Sequence, residues 1–389
     1  MKILKRDGRI ENYDEIRVWK AVAKALESVG VDGLTLVTQA DLVCTRVEEE
    51  ITPMDKYAIS VEEIHDIVQK ELKNINYEAG LSYQKYREQR NIARESQRLT
   101  NLDENVLNKH SDRASNGNVD ENSFGGKEGL ILEGEMEAIA LNKMNILFST
   151  KHRDREVYIH DLNKYAFGMS NCLVLDIGSL LEEGANVGQG DLRPTKRFAT
   201  AMQLVPVYIQ IQSMSMFGGA ATGHLDFIMQ PYIERLIADK YIEVIEVTSG
   251  ERPNIEKMTI HDLFDSYDDQ EGSFLCNLIM KRVEEQIHQS CQALITNLVT
   301  LQTRGTQTPF SSINFGGNVS KEGQMFNRIL LEEMDRGIGR KNKTAIFPIL
   351  CYYTRSDLNL YEGTPGYDLT IKAIEVQGRR HFPRNSWGI

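Results

Sequence analysis

The sequence predicts an α/β protein in two parts: a small hairpin-and-helix module at the N-terminus, then a longer region built on a largely parallel sheet. Three observations carry this. Residues 1–95 read as one short hairpin followed by four amphipathic helices. Residues 100–129 are rich in Asn, Ser, Asp and Gly, the composition of a loop or linker. Beyond them, strand-like runs are separated by helices long enough to cross back over a sheet, which is how parallel strands are joined.

The elements follow in order. Ile3 and Leu4 form a short strand that runs into Lys5 and Arg6, turns at Asp7-Gly8, and returns through Arg9-Ile10-Glu11. Asp14 leads into a helix over 14–30, with Ile16, Val18, Trp19, Val22, Ala23 and Leu26 on one side and Gly30 as its stop. A second helix covers 36–50. A third starts at Ser60, where Ser60 and Glu63 have the spacing of a capping box. A fourth spans 77–98. After the linker, helices are expected near 131–149, 195–216, 225–240 and 278–303, the last ending at Gly305. Strands are expected at 173–177, 310–315 and 346–353. The domain boundaries read 1–95, a polar linker 96–129, and 130–389.

The 389 residues are 41% hydrophobic and 26% charged, with a net charge of −11. An acidic balance argues against a duplex-nucleic-acid or anionic-membrane binder, since both need a basic face, but leaves room for a local cationic pocket. The most apolar long stretch, 198–217, is interrupted by Gln203, Pro206, Gln210 and Gln212, too polar for a membrane span. No basic segment followed by an apolar core opens the chain. The five cysteines (Cys44, Cys172, Cys276, Cys291, Cys351) are widely spaced and suit neither a disulfide framework nor a zinc site. A reducing cytoplasm is the expected compartment.

The hairpin holds the first candidate site. Lys5 and Arg6, set by the turn beside a helix N-terminus, would cradle an anion such as a polyphosphate. Taken alone, Lys5-Arg6-Asp7-Gly8 reads first as an ordinary charged hairpin. Together with the four helices, the K-R-D-G-R run, the segment from Glu11 to Asp14, Arg17, and Ser60 to Ile67 with His65 resemble an ATP-cone, a regulatory nucleotide-binding domain. The resemblance implies that Lys5, Arg6, Asp7, Gly8, Glu11, Asp14, Arg17 and His65 line a site for ATP or dATP. Arg90 is a further candidate, and His65 reads either as a donor to the ligand or as a solvated helix histidine.

Six motifs occur in series after the linker: VDENSFGG (119–126), YIHDL (158–162), GMSNCLVL (168–175), FGGAATGH (217–224), QTPFSSINFG (307–316) and IFPIL (346–350). Together they resemble the anaerobic, glycyl-radical class of ribonucleoside-triphosphate reductase. That resemblance implies part of a ten-stranded α/β barrel and the radical reduction of ribonucleoside triphosphates, with formate or a dithiol as reductant. It makes Cys172, which opens an apolar strand after Ser170-Asn171, a catalytic residue facing the substrate ribose, with Asn314 beside it. Asn171, Thr308, Ser311 and Ser312 become substrate contacts. His160-Asp161 reads as a pocket pair or as a turn with a capping aspartate. Gly218 and Gly219 are expected to permit close backbone approach, and the remaining four cysteines to be core.

The same resemblance sets further expectations. The radical glycine and a structural zinc belong to a C-terminal part that these 389 residues do not carry, so no metal site is expected here. Turnover is expected to need a C-terminal reductase fragment in trans and a radical-SAM activating enzyme, with a homodimer as the assembly. The other reading is a non-catalytic nucleotide sensor that uses only the ATP-cone.

Overall fold

The structure, a computed structural model, describes residues 1–6, 8–54, 56–102, 120–165, 168–187, 190–266, 270–302 and 307–387. They divide into two units, one from within 1–102 and 130–165, the other from within 120–129 and 168–387. Residues 130–165, expected to open the second domain, therefore group with the first unit.

In the first unit, β1 (Lys2–Leu4) pairs antiparallel with β2 (Ile10–Asn12), and the sheet order β2-β1-β3 places β3 (Ile59–Ser60) parallel on its other side. The Lys5 carbonyl accepts the Gly8 N–H at 2.9 Å and the Lys5 N–H donates to the Arg9 carbonyl at 2.8 Å. Gly8 closes this loop at φ +83°, a conformation that favours glycine, and a β-carbon there would also collide with Arg153. Four helices follow the hairpin: α1 (Glu15–Glu27), α2 (Gly33–Ile51), α3 (Val61–Ile75) and α4 (Tyr77–Leu102). Asp14 caps α1 by accepting the Ile16 N–H at 3.1 Å, and Ser60 with Glu63 forms the predicted capping box on α3. Leu26, Val43, Val47, Val68 and Leu72 fill the core between these helices and Ile59 of β3.

Next come α5 (Phe124–Lys143), α6 (Ile146–Arg153) and α7 (Leu162–Tyr165). The linker expectation is too wide at both ends: α4 runs on to Leu102, and α5 already begins at Phe124. The reason at the second end is local. The Ser123 hydroxyl accepts the Gly126 N–H at 3.0 Å and so caps α5, while Gly126 passes against the Asp120 carbonyl where a side chain would not fit. The single helix expected near 131–149 is two, because the Asn145 side chain caps a new helix by accepting the Leu147 N–H at 2.9 Å.

The second unit opens with β4 (Leu173–Leu175), which ends earlier than expected because Asp176 caps α8 (Ile177–Glu183). A minor antiparallel pair, β5 (Ala185–Asn186) and β6 (Asp191–Leu192), precedes α9 (Phe198–Ser213). There follow β7 (Ala220–His224), α10 (Leu225–Ser249), α11 (Ile260–Asp265), α12 (Gln270–Thr300), β8 (Ser311–Phe315), α13 (Lys321–Arg336), β9 (Ile349–Thr354), α14 (Tyr367–Arg380) and β10 (Arg384–Trp387). The five long-sheet strands run β10-β9-β8-β7-β4, all parallel. Each new strand is laid beside the last, so right-handed crossovers send every connecting helix to the same face. On that face Ile313, Phe315, Leu350 and Tyr352 pack into the core formed with α9, α10, α12 and α13, and the Phe315 and Tyr352 rings meet edge-on at 5.4 Å. The described residues hold one five-stranded parallel sheet; the ten-stranded barrel remains what the resemblance implies.

A buried carboxylate ties β7 to β8. Asp226, fully buried in the first turn of α10, accepts the N–H groups of Gly316 at 2.9 Å and Asn318 at 2.8 Å, the Asn327 amide at 3.2 Å and its neighbour Phe227's N–H at 3.1 Å. Gly316 itself sits at φ +98° against the Tyr352 ring. Among the described residues no helix is long and apolar enough to cross a membrane.

Candidate functional site

In the first unit, α1 and α4 lie side by side, joined where the Ser28 and Ser82 hydroxyls meet at 2.6 Å. Helical spacing puts Arg17, Lys20 and Lys24 of α1 on one wall of the cleft between them, and Arg87, Arg90 and Arg94 of α4 on the other. Arg6 of the hairpin closes one end. These seven cations, with His65, Tyr83 and Tyr86, surround a cavity of about 560 Å³ whose described lining holds no carboxylate. A second cavity of about 200 Å³ adjoins it through Arg17, Ala21, His65 and Tyr83. Its walls are largely apolar (Ile3, Val18, Val61, Ile64, Val68), with Asn12, Asp14 and Lys5 at the polar edge.

The cations fall into two kinds. Some are already paired: Lys5 with Glu11 at 3.4 Å, Arg17 with Glu11 at 3.0 Å and Asp14 at 3.2 Å, Arg6 with Glu62, and Arg87 with Glu62 and Asp66. Desolvation works against ionising Glu11, yet Lys5 and Arg17 hold its carboxyl below the usual carboxylate range. Lys20, Lys24 and Arg90, by contrast, have no carboxylate partner among the described residues. Arg94 leans on the Asn91 side chain, and its own pKa is lowered by burial and by the nearby charges of Arg6 and Arg90.

His65 is not a solvated histidine. It is half-buried, with Nδ1 2.6 Å from the Tyr83 hydroxyl. Burial, helped by the positive field of Arg6 and Arg87, pushes its pKa down to about 4, so the ring is neutral near pH 7. Burial also raises the Tyr83 hydroxyl to about 12, so both partners are neutral near pH 7 and the imidazole tautomer sets which of them donates. In the tautomer where Tyr83 donates to Nδ1, the Nε2–H is the donor left for a ligand. Thus Lys5, Arg6, Asp14, Arg17 and His65 gather at the two cavities. Gly8 shapes the turn without lining either, Glu11 acts through the cations it holds, and Asp7 lies outside the described residues. Sequence reasoning missed Lys20, Lys24, Arg87 and Arg94, although their three- and four-residue spacing on two helices was available as a signal.

In the second unit the sheet face away from the helices carries the other candidates. Cys172 is exposed just before β4; its thiol donates to Asn171 Oδ1 at 3.3 Å and accepts the Gly219 N–H at 3.3 Å. A β-carbon on Gly218 would stand 2.6 Å from the Cys172 sulfur, so the chain passes the thiol as closely as glycine allows. Gly219 meets nothing closer than the Phe310 carbonyl at 3.5 Å. Asn314 is held by its amide donating to the Thr222 carbonyl at 2.9 Å, and it stands level with His224 on one side and Cys351 on the other. Ser312 shares this face, and Thr308 is half-buried in the approach to β8.

Two expectations change here. Ser311 is 2% exposed on the opposite, helix-packed side, because side chains alternate along β8. Cys351, expected in the core, is half-buried on the Asn314 face, while Cys44, Cys276 and Cys291 are buried as expected. His160 pairs with its neighbour Asp161 at 2.5 Å and is 80% exposed. His224, whose ring meets Tyr353 at 5.0 Å and whose buried Nδ1 has no hydrogen-bond partner among the described residues, is a polar group on this face that the sequence reading did not single out. No cluster of three or more His, Cys, Asp or Glu able to hold a metal ion occurs among the described residues.

The family model described as ATP cone domain matches residues 1–92, and the model described as anaerobic ribonucleoside-triphosphate reductase matches residues 115–386. The anaerobic ribonucleoside-triphosphate reductase of Haemophilus influenzae is 26% identical over 394 residues, covering 98% of this chain and 51% of that protein. That of Salmonella typhimurium is 25% identical, covering 98% and 50%. That of Enterobacteria phage T4 is 25% identical over 269 residues, covering 69% and 41%. The chain thus spans about half the length of the curated relatives it matches. The solved anaerobic ribonucleotide reductase of Thermotoga maritima, with glycerol in its active site, aligns with a TM-score of 0.46 at 14% identity over 68% of this chain and 41% of that one. With its ATP cone domain at the N-terminus and the longer match behind it, the chain belongs to the anaerobic ribonucleoside-triphosphate reductase family.

Proposed function

We propose that the first unit binds ATP or dATP as an allosteric effector, and that the open sheet face of the second unit receives the ribose of a ribonucleoside triphosphate for reduction to the deoxy form. The observation that carries the first half is the cleft: seven cations around one cavity, no carboxylate in its described lining, and an adjoining largely apolar slot. The slot takes the purine, with Asn12 and Asp14 at its edge to read polar atoms. The larger cavity takes the phosphates, which Arg6 and the α1 and α4 cations meet with charge-assisted hydrogen bonds. Calorimetry with ATP and dATP tests this. The Lys5→Ala, Arg6→Ala double variant is expected to weaken binding by roughly tenfold, a moderate figure because both cations give up an internal carboxylate to reach phosphate and others remain. Unchanged affinity would remove the hairpin from the site.

For the second half, Cys172 at the head of β4 and Asn314 on β8 are the residues we assign to the reacting sugar, with Asn171, Ser312 and Thr308 around it. In that reading the five strands are part of a ten-stranded barrel. The chemistry is that of glycyl and thiyl radicals: a thiyl radical takes the 3′ hydrogen, the 2′ hydroxyl leaves as water, and formate or a dithiol supplies the electrons. It draws on the remaining length of the relatives, supplied as a C-terminal reductase fragment, on a radical-SAM activating enzyme, and on a homodimeric assembly. Anaerobic mixing of the chain with such a fragment and activating enzyme is expected to yield deoxynucleotide. Nucleotide binding without any such product would leave the chain as a sensor alone.

A further inference from the structure

The carboxylate of Glu62 stands where the ligand's charge is needed. Arg6 and Arg87 both line the cationic cavity, yet each already donates to Glu62: Arg6 Nε to Oε1, and Arg87 Nη2 to Oε2 at 2.9 Å. Glu62 lies in the first turn of α3, where the helix N-terminus favours a negative charge. Burial works against its ionisation, but the hydrogen bonds from Arg6 and Arg87 hold its carboxyl below the usual range. A second carboxylate, Asp66, takes Arg87 Nη1 at 2.8 Å but is 69% exposed and does not reach Arg6. The cations farther along the cleft, Lys20, Lys24 and Arg90, have no carboxylate partner among the described residues.

We infer that Glu62 is a built-in competitor for the phosphate tail: it occupies Arg6 and Arg87 until a polyphosphate displaces it. This rests on the reading of the cleft as a nucleotide site. A ligand first meets the unpaired charges of α1 and α4, then must replace Glu62 with a phosphate oxygen to engage Arg6 and Arg87. Only an anion long and charged enough to span both groups makes that exchange. A nucleoside does not reach the pair and is indifferent to it.

The test is calorimetry on the whole chain with ATP, inorganic triphosphate and adenosine, comparing wild type with Glu62→Gln and Asp66→Asn. Glu62→Gln keeps the size of the side chain and removes its charge. It is expected to tighten ATP and triphosphate by roughly three- to tenfold while leaving adenosine unchanged, and Asp66→Asn is expected to change none of the three. If Glu62 instead holds the two arginines in place for the ligand, Glu62→Gln weakens triphosphate binding, and that result or an unchanged affinity overturns the inference. A wild-type chain that binds neither ATP nor triphosphate overturns the nucleotide reading itself, an outcome distinct from normal binding that ignores Glu62.

Discussion

Replacing Asp226 with alanine is expected to destabilise the second unit by about 3–5 kcal/mol, seen as a lower urea midpoint by circular dichroism. The side chain is fully buried and gathers four donors, two of them backbone N–H groups of the turn that leaves β8. Alanine leaves the Gly316 and Asn318 N–H groups and the Asn327 amide without this partner in a buried setting. Asp226→Asn separates charge from shape: it keeps one oxygen but presents an amide N–H to groups that are themselves donors, so a smaller loss, about 1–2 kcal/mol, is expected. An alanine variant with wild-type stability would mean that the turn rearranges to satisfy itself. Because Asn314 precedes this turn by two residues, the loss should also loosen the candidate substrate face.

The second large effect is an acid weakness of the first unit set by His65. In an unfolded chain an imidazole takes up its proton as the pH falls through 6.5, whereas in the fold His65 resists until about 4. Between those values the unfolded state binds more protons, so folding stability must fall as the pH drops across this window and level off below it. Discounted for the ring's partial exposure, the loss is on the order of 2 kcal/mol. Thermal unfolding of wild type and His65→Asn at pH 7, 6 and 5 checks this. The wild type should lose stability over that range and the asparagine variant should stay nearly flat. The carboxylates held low by their cations, Glu11 and Glu62 among them, weaken the fold only at more acid pH.

Local chemistry explains why some of this was legible in the sequence. The Ser60 and Glu63 capping box, the Asp14 cap and the buried Val22, Ala23 and Leu26 of α1 are written within a few residues and appear where expected, whereas Ile16, expected on the same side, is 64% exposed in the first turn. The parallel sheet followed from strand-helix alternation. The strand β7 did not, because Ala220-Ala221-Thr222-Gly223-His224 is small and glycine-bearing, and only its place between β4 and β8 makes it extended. The same limit applied to the sites. Lys5 and Arg6 could be read from a turn, but the cleft joins α1 to α4 across more than fifty residues, as the Ser28–Ser82 contact shows. Ser311 and Ser312 look alike in sequence and part company only when β8 is seen to bury one face.

The strand order also bears on how the protein is made. Since β4, β7, β8, β9 and β10 are added side by side in the order they are translated, each can dock on a neighbour already outside the ribosome. The search for a partner strand is then always for the most recent edge, and non-local loop closure is confined to one crossover at a time. Growth by accretion of this kind leaves at every stage one advancing edge to be shielded from other chains, and the helices between successive strands pack on the core face rather than over that edge.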